Sequence, residues 1–184
     1  MSRDTLSVEV AGLTRELSLV EVTPGIVVPV FHMLGDVELV ESVADALAGR
    51  VPEQAEMLVC VASKTIPLAH ALAVRVGLPY AVLRRRYRPY MGAVIEAQVM
   101  DIFTARPITL LLEEKDRARC HGRNVLLLED VVSTGSASSA MRTLMDRAGA
   151  RVIGEMAVFT EGRAERWPDV IALGHLPLFT SELD

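Results

Sequence analysis

The chain has 184 residues, 51% of them hydrophobic but only 4% aromatic, and a formal net charge of -5. That length suits one domain with a sizeable core, and the scarcity of rings leaves Val, Leu, Ala and Ile to fill it. The acidic balance argues against a general affinity for nucleic acid, which needs many Lys and Arg on one face, so any basic site must be local. No apolar run reaches the ~18 residues of a membrane-spanning helix, so no membrane partner is expected, and a cytoplasmic enzyme or binding protein fits best. Cys60 inside an apolar run and Cys120 beside His121 have neither disulfide-framework nor metal-ligand spacing and read as free thiols.

In chain order, Ser7 to Val22 alternates Val8 and Val10, then Leu13, Leu17 and Leu19, and fits a strand, a helix or one after the other. Thr23-Pro24-Gly25 is a turn signal, and Ile26 to Phe31 is an extended apolar segment. Asp36 precedes apolar residues at helical spacing from Val37 to Ala48, closed by Gly49. Met57 to Ala62 is too short and too uniformly apolar for a helix and predicts a buried strand. Pro67 opens a helix towards Arg75 that Gly77 ends. Tyr80 to Leu83 is the next strand, and Val94 to Phe103 and Ile108 to Leu112 are two extended segments compatible with a hairpin around Ala105-Arg106-Pro107. A strand from Asn124 to Leu128, a helix from about Ser136 to Ala148 and a strand from Val152 to Phe159 make a βαβ unit. The alternation predicts an α/β fold with a mostly parallel central sheet flanked by helices. Leu144 and Met145 read as core filling.

Ligands of such sheets sit beyond the carboxyl ends of the strands, and three polar constellations fall there: Ser63-Lys64-Thr65, Arg84-Arg85-Arg86 and Glu129-Asp130 with the loop after it. In that last loop, Ser133-Thr134-Gly135-Ser136 leads into a helix. Backbone N–H groups, hydroxyls and a glycine at a helix start make an anion site. Two carboxylates ahead of it suit the hydrogen-bond donors of a vicinal diol, so the pattern spells ribose phosphate. A solvated strand end with a plain N-cap is the bland alternative; it leaves two adjacent carboxylates beside an apolar strand without a task. Neither G-x-x-x-x-G-K-[ST] nor G-x-G-x-x-G occurs. Four guanidinium groups within Arg84 to Arg88 are either a solvated face or partners for phosphate oxygens, and Lys64 is either a surface lysine or a ligand for the same anion. His32, His70, His121 and His175 show no metal spacing, so no metal held by protein side chains is expected.

The run Val125 to Ala137 resembles the signature of type I phosphoribosyltransferases that bind 5-phosphoribosyl-1-pyrophosphate (PRPP), with the general pattern nearest the adenine branch. Ala62 to Ala69 is similar to the pyrophosphate loop of the orotate and adenine branches, with Thr65 where many members have Gly, and Ile171 to Phe179 is similar to the closing strand segment of adenine-type members. The resemblance covers most of the chain from Pro24 to Phe179. It implies that Glu129 and Asp130 hold the ribose hydroxyls, that Val132, Ser133, Thr134, Gly135, Ser136 and Ala137 wrap the 5′-phosphate, and that Ser63, Lys64 and Thr65 meet the pyrophosphate. Ser63 to Thr65 is also where a non-proline cis peptide is expected. Lys64, Arg84 and Arg85 are implied as the catalytic cations, and Arg86 and Arg88 have no assigned role.

The implied fold is one domain over residues 1–184, with a small hood from about 1–34 and a later loop near 159–166. Val28, Phe31 and Phe159 are expected to meet the base. The implied reaction moves the phosphoribosyl group of PRPP to a nucleobase, a purine such as adenine, with Mg2+ carried by the PRPP, in a homodimer in which the Tyr87 to Met91 stretch and the following segment from about Phe103 to Ile108 close over the site. A second class stays open, a regulator that binds PRPP without transfer.

Overall fold

The computed structural model describes residues 4–101 and 106–180. The ambiguous opening stretch is two antiparallel strands, β1 (Thr5–Val10) and β2 (Leu13–Thr23), paired from Thr5↔Ser18 to Val10↔Leu13. Ala11 and Gly12, both at positive φ (51° and 77°), make the tight turn between them, and that turn divides the alternating pattern into a hairpin. β3 (Ile26–Val30) returns along β2 after the Pro24-Gly25 turn, where the Glu21 carboxylate accepts from the Gly25 N–H at 2.9 Å.

α1 (Val37–Ala48) begins where Asp36 accepts from the Leu39 N–H at 3.0 Å. Arg15 of β2 donates to the same carboxylate at 2.8 Å, fastening the N-terminal sheet to the helix start. β4 (Met57–Val61) is buried at every position, α2 (Ile66–Val76) ends at the left-handed Gly77, and β5 (Tyr80–Leu83) follows. β6 (Ile95–Asp101) and β7 (Arg106–Leu112) pair antiparallel from Ile95↔Leu112 to Asp101↔Arg106. The tip of that hairpin, 102–105, lies outside the described residues, so only part of the expected closing segment can be located; Arg106 to Ile108 belong to β7.

α3 (Glu114–Cys120) has no counterpart in the sequence reading, because only Asp116 and Cys120 of its seven residues are buried and no apolar stripe marks it. β8 (Asn124–Val132), α4 (Ser136–Ala148), β9 (Arg151–Glu161) and β10 (Val170–Leu176) complete the alternation. β11 (Phe179–Thr180) leaves the region and pairs with β3.

The central sheet runs β10-β9-β8-β4-β5, with every neighbour parallel. Its strands read as continuous apolar runs because both faces are covered. Leu58, Cys60, Leu126 and Leu128 pack with α1 and α2, while Met57, Val59, Val125 and Leu127 pack with α4 and the β6–β7 hairpin. Each fully buried leucine among them contributes on the order of 2 kcal/mol relative to exposure. Three N-terminal strands and β11 form a separate antiparallel sheet, β1-β2-β3-β11. Among the described residues, no helix is long and apolar enough to cross a membrane.

Candidate functional site

After β4 the chain crosses through α2 to β5 on one side, and after β8 it crosses through α4 to β9 on the other. The loops after β4 and β8 therefore diverge and leave a crevice at the carboxyl ends of two adjacent strands. A cleft of about 400 Å³ lies there, lined by Lys64 from the first loop, Arg85 after β5, Glu129 and Asp130 of β8, the 131–138 segment, Glu161 of β9 and residues of β3. Val132 to Ala137, the expected phosphate loop, all border it.

Gly135, at φ 79°, precedes the first turn of α4, and Ser139 N–H donates to its carbonyl at 2.9 Å. The Thr134 hydroxyl donates to Ser136 Oγ at 2.9 Å and accepts from the Ser136 N–H at 3.1 Å, which folds the loop over the helix start. That end of α4 carries the positive pole of the helix. The positive φ favours glycine at 135, and a Cβ there would also lie 3.1 Å from Cη2 of Trp167, so the ring would have to give by a few tenths of an ångström. Trp167 is the only tryptophan of the chain. Its indole N–H donates to the Glu161 carbonyl at 2.9 Å, and Arg166 lies over its ring at 5.0 Å.

Across the crevice the Ala62–Ser63 peptide is cis, at the edge of the segment where such a bond was expected. Thr65 is buried and donates to Asp130 Oδ1 at 3.4 Å, joining the two loops. Ser63 borders a neighbouring basin of about 290 Å³ with Arg84, Arg85, Arg86 and Arg88. Lys64 and Arg85 have no ion-pair partner among the described residues, whereas Arg84 Nε lies 3.8 Å from Glu113 and its Nη2 donates to the Tyr90 hydroxyl at 3.3 Å. Arg84 thus borders a second open cleft of about 570 Å³ near His70 and Tyr80 and is absent from the lining of the first. Arg84 and Arg85 share the Ser63 basin, but only Arg85 also lines the first cleft.

Val28 and Phe31 line the cleft. Phe159, expected beside them, is 2% exposed and meets Phe31 edge-on, with centroids 4.9 Å apart, so it backs Phe31 instead of facing the cleft.

The cleft holds carboxyl groups that the sequence reading did not assign. Glu161 accepts from the Ser133 hydroxyl at 2.5 Å, and burial pushes its carboxyl up, opposed by that hydroxyl and by His175. His175 Nε2 lies 2.9 Å from the Gly162 carbonyl, to which it can only donate, and its Nδ1 lies 2.9 Å from the Thr160 hydroxyl. Behind Glu129, Ser138 and Glu155 form a buried polar cluster with Arg142. Burial first, then the charges of Glu155 and Asp130 against the opposing Ser138 bond, push the Glu129 carboxyl up to about 8. Glu161 shares the strand-end position that drew notice to Glu129, so its signal was present; Ser138 and Glu155 carry none, because only the register of β9 against β8 brings them together.

Sheet order and crevice define an α/β protein covered on both faces, with a loop suited to anions at the switch point. The family model of the phosphoribosyl transferase domain matches residues 35–172, and the chain belongs to that family. It is 27% identical over 158 residues to the purine biosynthesis transcriptional activator PurR of Lactococcus lactis, covering 85% of this chain and 56% of that protein. To a hypoxanthine/guanine phosphoribosyltransferase of Methanobacterium paludis it is 27% identical over 128 residues, covering 70% and 64%. The chain therefore spans less than two thirds of the length of these relatives. The adenine phosphoribosyltransferase of Saccharomyces cerevisiae, solved with adenine, superposes with a TM-score of 0.68 at 20% identity over 85% of this chain and 93% of that one, a likeness of fold.

Proposed function

We propose that the protein transfers the 5-phosphoribosyl group of Mg-PRPP to a purine, releasing pyrophosphate. The observation that carries this reading is the convergence on one cleft of an acidic pair, a phosphate-suited helix start and two cations, Lys64 and Arg85, without an ion-pair partner among the described residues. The ribose hydroxyls donate to Glu129 and Asp130, the 5′-phosphate rests on Val132 to Ala137, and the diphosphate meets Lys64, Arg85 and the backbone at Ser63 to Thr65. Magnesium enters as part of the substrate, and Arg84 acts from the Ser63 basin.

The bond from C1 of the ribose to the pyrophosphate oxygen breaks as a bond to a ring nitrogen forms. Positive charge builds on the ribose and negative charge on the leaving diphosphate, so catalysis is positioning and charge stabilisation. Val28 and Phe31 supply apolar contact for the base, with Phe159 holding Phe31. Adenine is the first candidate from the pattern of the sequence, and a curated relative named for hypoxanthine and guanine makes those bases necessary members of the panel. We read the protein as a cytoplasmic homodimer, and the exposed Val74 and Tyr90 beside the second cleft offer apolar surface to a second copy.

Incubation with Mg-PRPP and adenine, hypoxanthine or guanine should release pyrophosphate with one of them. Asp130→Asn should weaken PRPP binding; unchanged affinity would remove the ribose site from this position. The match to PurR over most of the chain favours one second reading, a PRPP-binding regulator without turnover. PRPP binding without pyrophosphate release from any base would decide for it.

A further inference from the structure

Ser138 has one hydroxyl proton and two carboxyl neighbours. Its Oγ lies 2.6 Å from Glu129 Oε1 and 2.5 Å from Glu155 Oε1, and all three side chains are buried. A hydroxyl donates to one acceptor at a time, so the second short contact requires a proton on one of the carboxyls. Arg142 selects which. Its guanidinium donates to Glu155 Oε2 at 2.9 Å, which puts the negative charge of the pair on Glu155 and the proton on Glu129. A directed chain results: Glu129 O–H donates to Ser138, the Ser138 O–H donates to Glu155, and Arg142 donates to Glu155 from the other side.

We propose that Glu155 is a positioning residue for PRPP, holding Glu129 protonated and oriented through Ser138 so that the ribose diol meets one neutral carboxyl, Glu129, and one charged, Asp130. This inference rests on the PRPP reading above. Its physical benefit is clear for a polyanionic ligand, because two adjacent carboxylates, one of them buried, repel each other and the incoming phosphates alike. The groups facing Glu129 agree with the assignment. Asp130 on β8 and Glu155 on β9 oppose its ionisation, Arg142 on α4 is engaged by Glu155, and β4 sets no ionisable group opposite it, since its Cys60 pairs with Leu128. Lys64, Arg85 and Glu161 line the same cleft and are the remaining charged groups there among the described residues. Burial with these neighbours pushes the Glu129 carboxyl up to about 8.

The test has a ligand-free arm and a PRPP arm. With glutamate labelled with carbon-13 at the side-chain carboxyl, the resonance missing from Glu129→Gln should titrate near pH 8 in the free protein. Glu155→Gln should move that midpoint down, by removing the like charge, and in Arg142→Gln the proton should no longer be confined to Glu129, so that the resonance missing from Glu155→Gln titrates with it. A change in which carboxyl holds the proton is not the signature of general loosening, and the Arg142 side chain is half-exposed. Calorimetry with Mg-PRPP in two buffers of different ionisation enthalpy should then show proton uptake at pH 9 in the wild type and none in Glu129→Gln. Affinity should fall by up to about tenfold per pH unit above the midpoint. A Glu129 resonance that titrates in the ordinary carboxylate range overturns the inference whatever PRPP does. PRPP binding without proton uptake overturns it while leaving the proposed function standing, and no PRPP binding at any pH refutes both.

Discussion

Gly135→Ala is the sharpest perturbation of the phosphate loop, because two independent costs fall on one methyl group. The position sits at φ 79°, where a residue with a Cβ costs roughly 1–2 kcal/mol more than glycine. In addition the new Cβ would stand 3.1 Å from Cη2 and 3.4 Å from Cζ3 of Trp167, so the indole has to retreat by a few tenths of an ångström. Trp167 is tied through its N–H to the Glu161 carbonyl, and Arg166 lies over the ring, which limits that retreat. If the loop relaxes out of its anion-binding shape to relieve both costs, PRPP affinity should fall by roughly tenfold, the equivalent of about 1.4 kcal/mol. The single tryptophan reports the event, since its fluorescence should change in the free variant and on titration with Mg-PRPP. Gly135→Ala in a Trp167→Leu background separates the costs, the backbone strain persisting while the ring contact is gone. Wild-type affinity and unchanged tryptophan emission in Gly135→Ala would refute the claim that this glycine holds the loop.

Lys64→Ala and Arg85→Ala should each lower kcat/KM by on the order of a hundredfold, the usual loss when one stabiliser of developing charge is removed; pyrophosphate release kinetics check this, and Arg84→Ala should lose less because Arg84 is engaged by Glu113 and Tyr90. Gly174→Ala would put a Cβ 2.8 Å from Phe159 Cε1, pushing the ring that backs Phe31; KM for the base should rise while PRPP affinity in calorimetry stays within about twofold, because shifts behind a binding wall cost 1–3 kcal/mol locally. Asp36 has its carboxyl held below the usual range by Arg15 and then by the Leu39 N–H. Its folded pKa is depressed, so its stabilising contribution is present above the unfolded-state pKa and is lost as pH falls through the folded value. Asp36→Ala should therefore lower Tm at neutral pH, by an amount equivalent to about 1 kcal/mol for a lost cap, with a smaller deficit in acid; thermal unfolding across pH reads both.

The elements legible in the sequence are those whose periodicity answers to burial. β4 and β8 are short apolar runs because a parallel sheet covers both their faces, and α1 shows its buried stripe from Leu39 to Leu47 between Asp36 and Gly49. α3 was silent because its residues are charged and it is held by position more than by an apolar face. In the opening stretch the alternation was visible, but its division into two strands depended on positive φ at Ala11, which an alanine does not advertise.

The site divides in the same way, between what one segment contains and what only packing assembles. Glu129, Asp130 and the loop to Ala137 are contiguous, so their chemistry could be read as a unit. Arg84 and Arg85 are contiguous too and share the Ser63 basin, yet only Arg85 also lines the cleft, while Arg84 reaches towards Glu113. Ser138 and Glu155 lie far apart in the chain and meet because Leu127↔Glu155 pairing on β9 and the first turns of α4 converge behind Glu129. A carboxyl that looks like half of a charged pair in the sequence is, in the fold, one end of a proton-sharing cluster. The local sequence identifies which groups a diol would touch, and the charge state in which it meets them is set by residues the ligand never reaches.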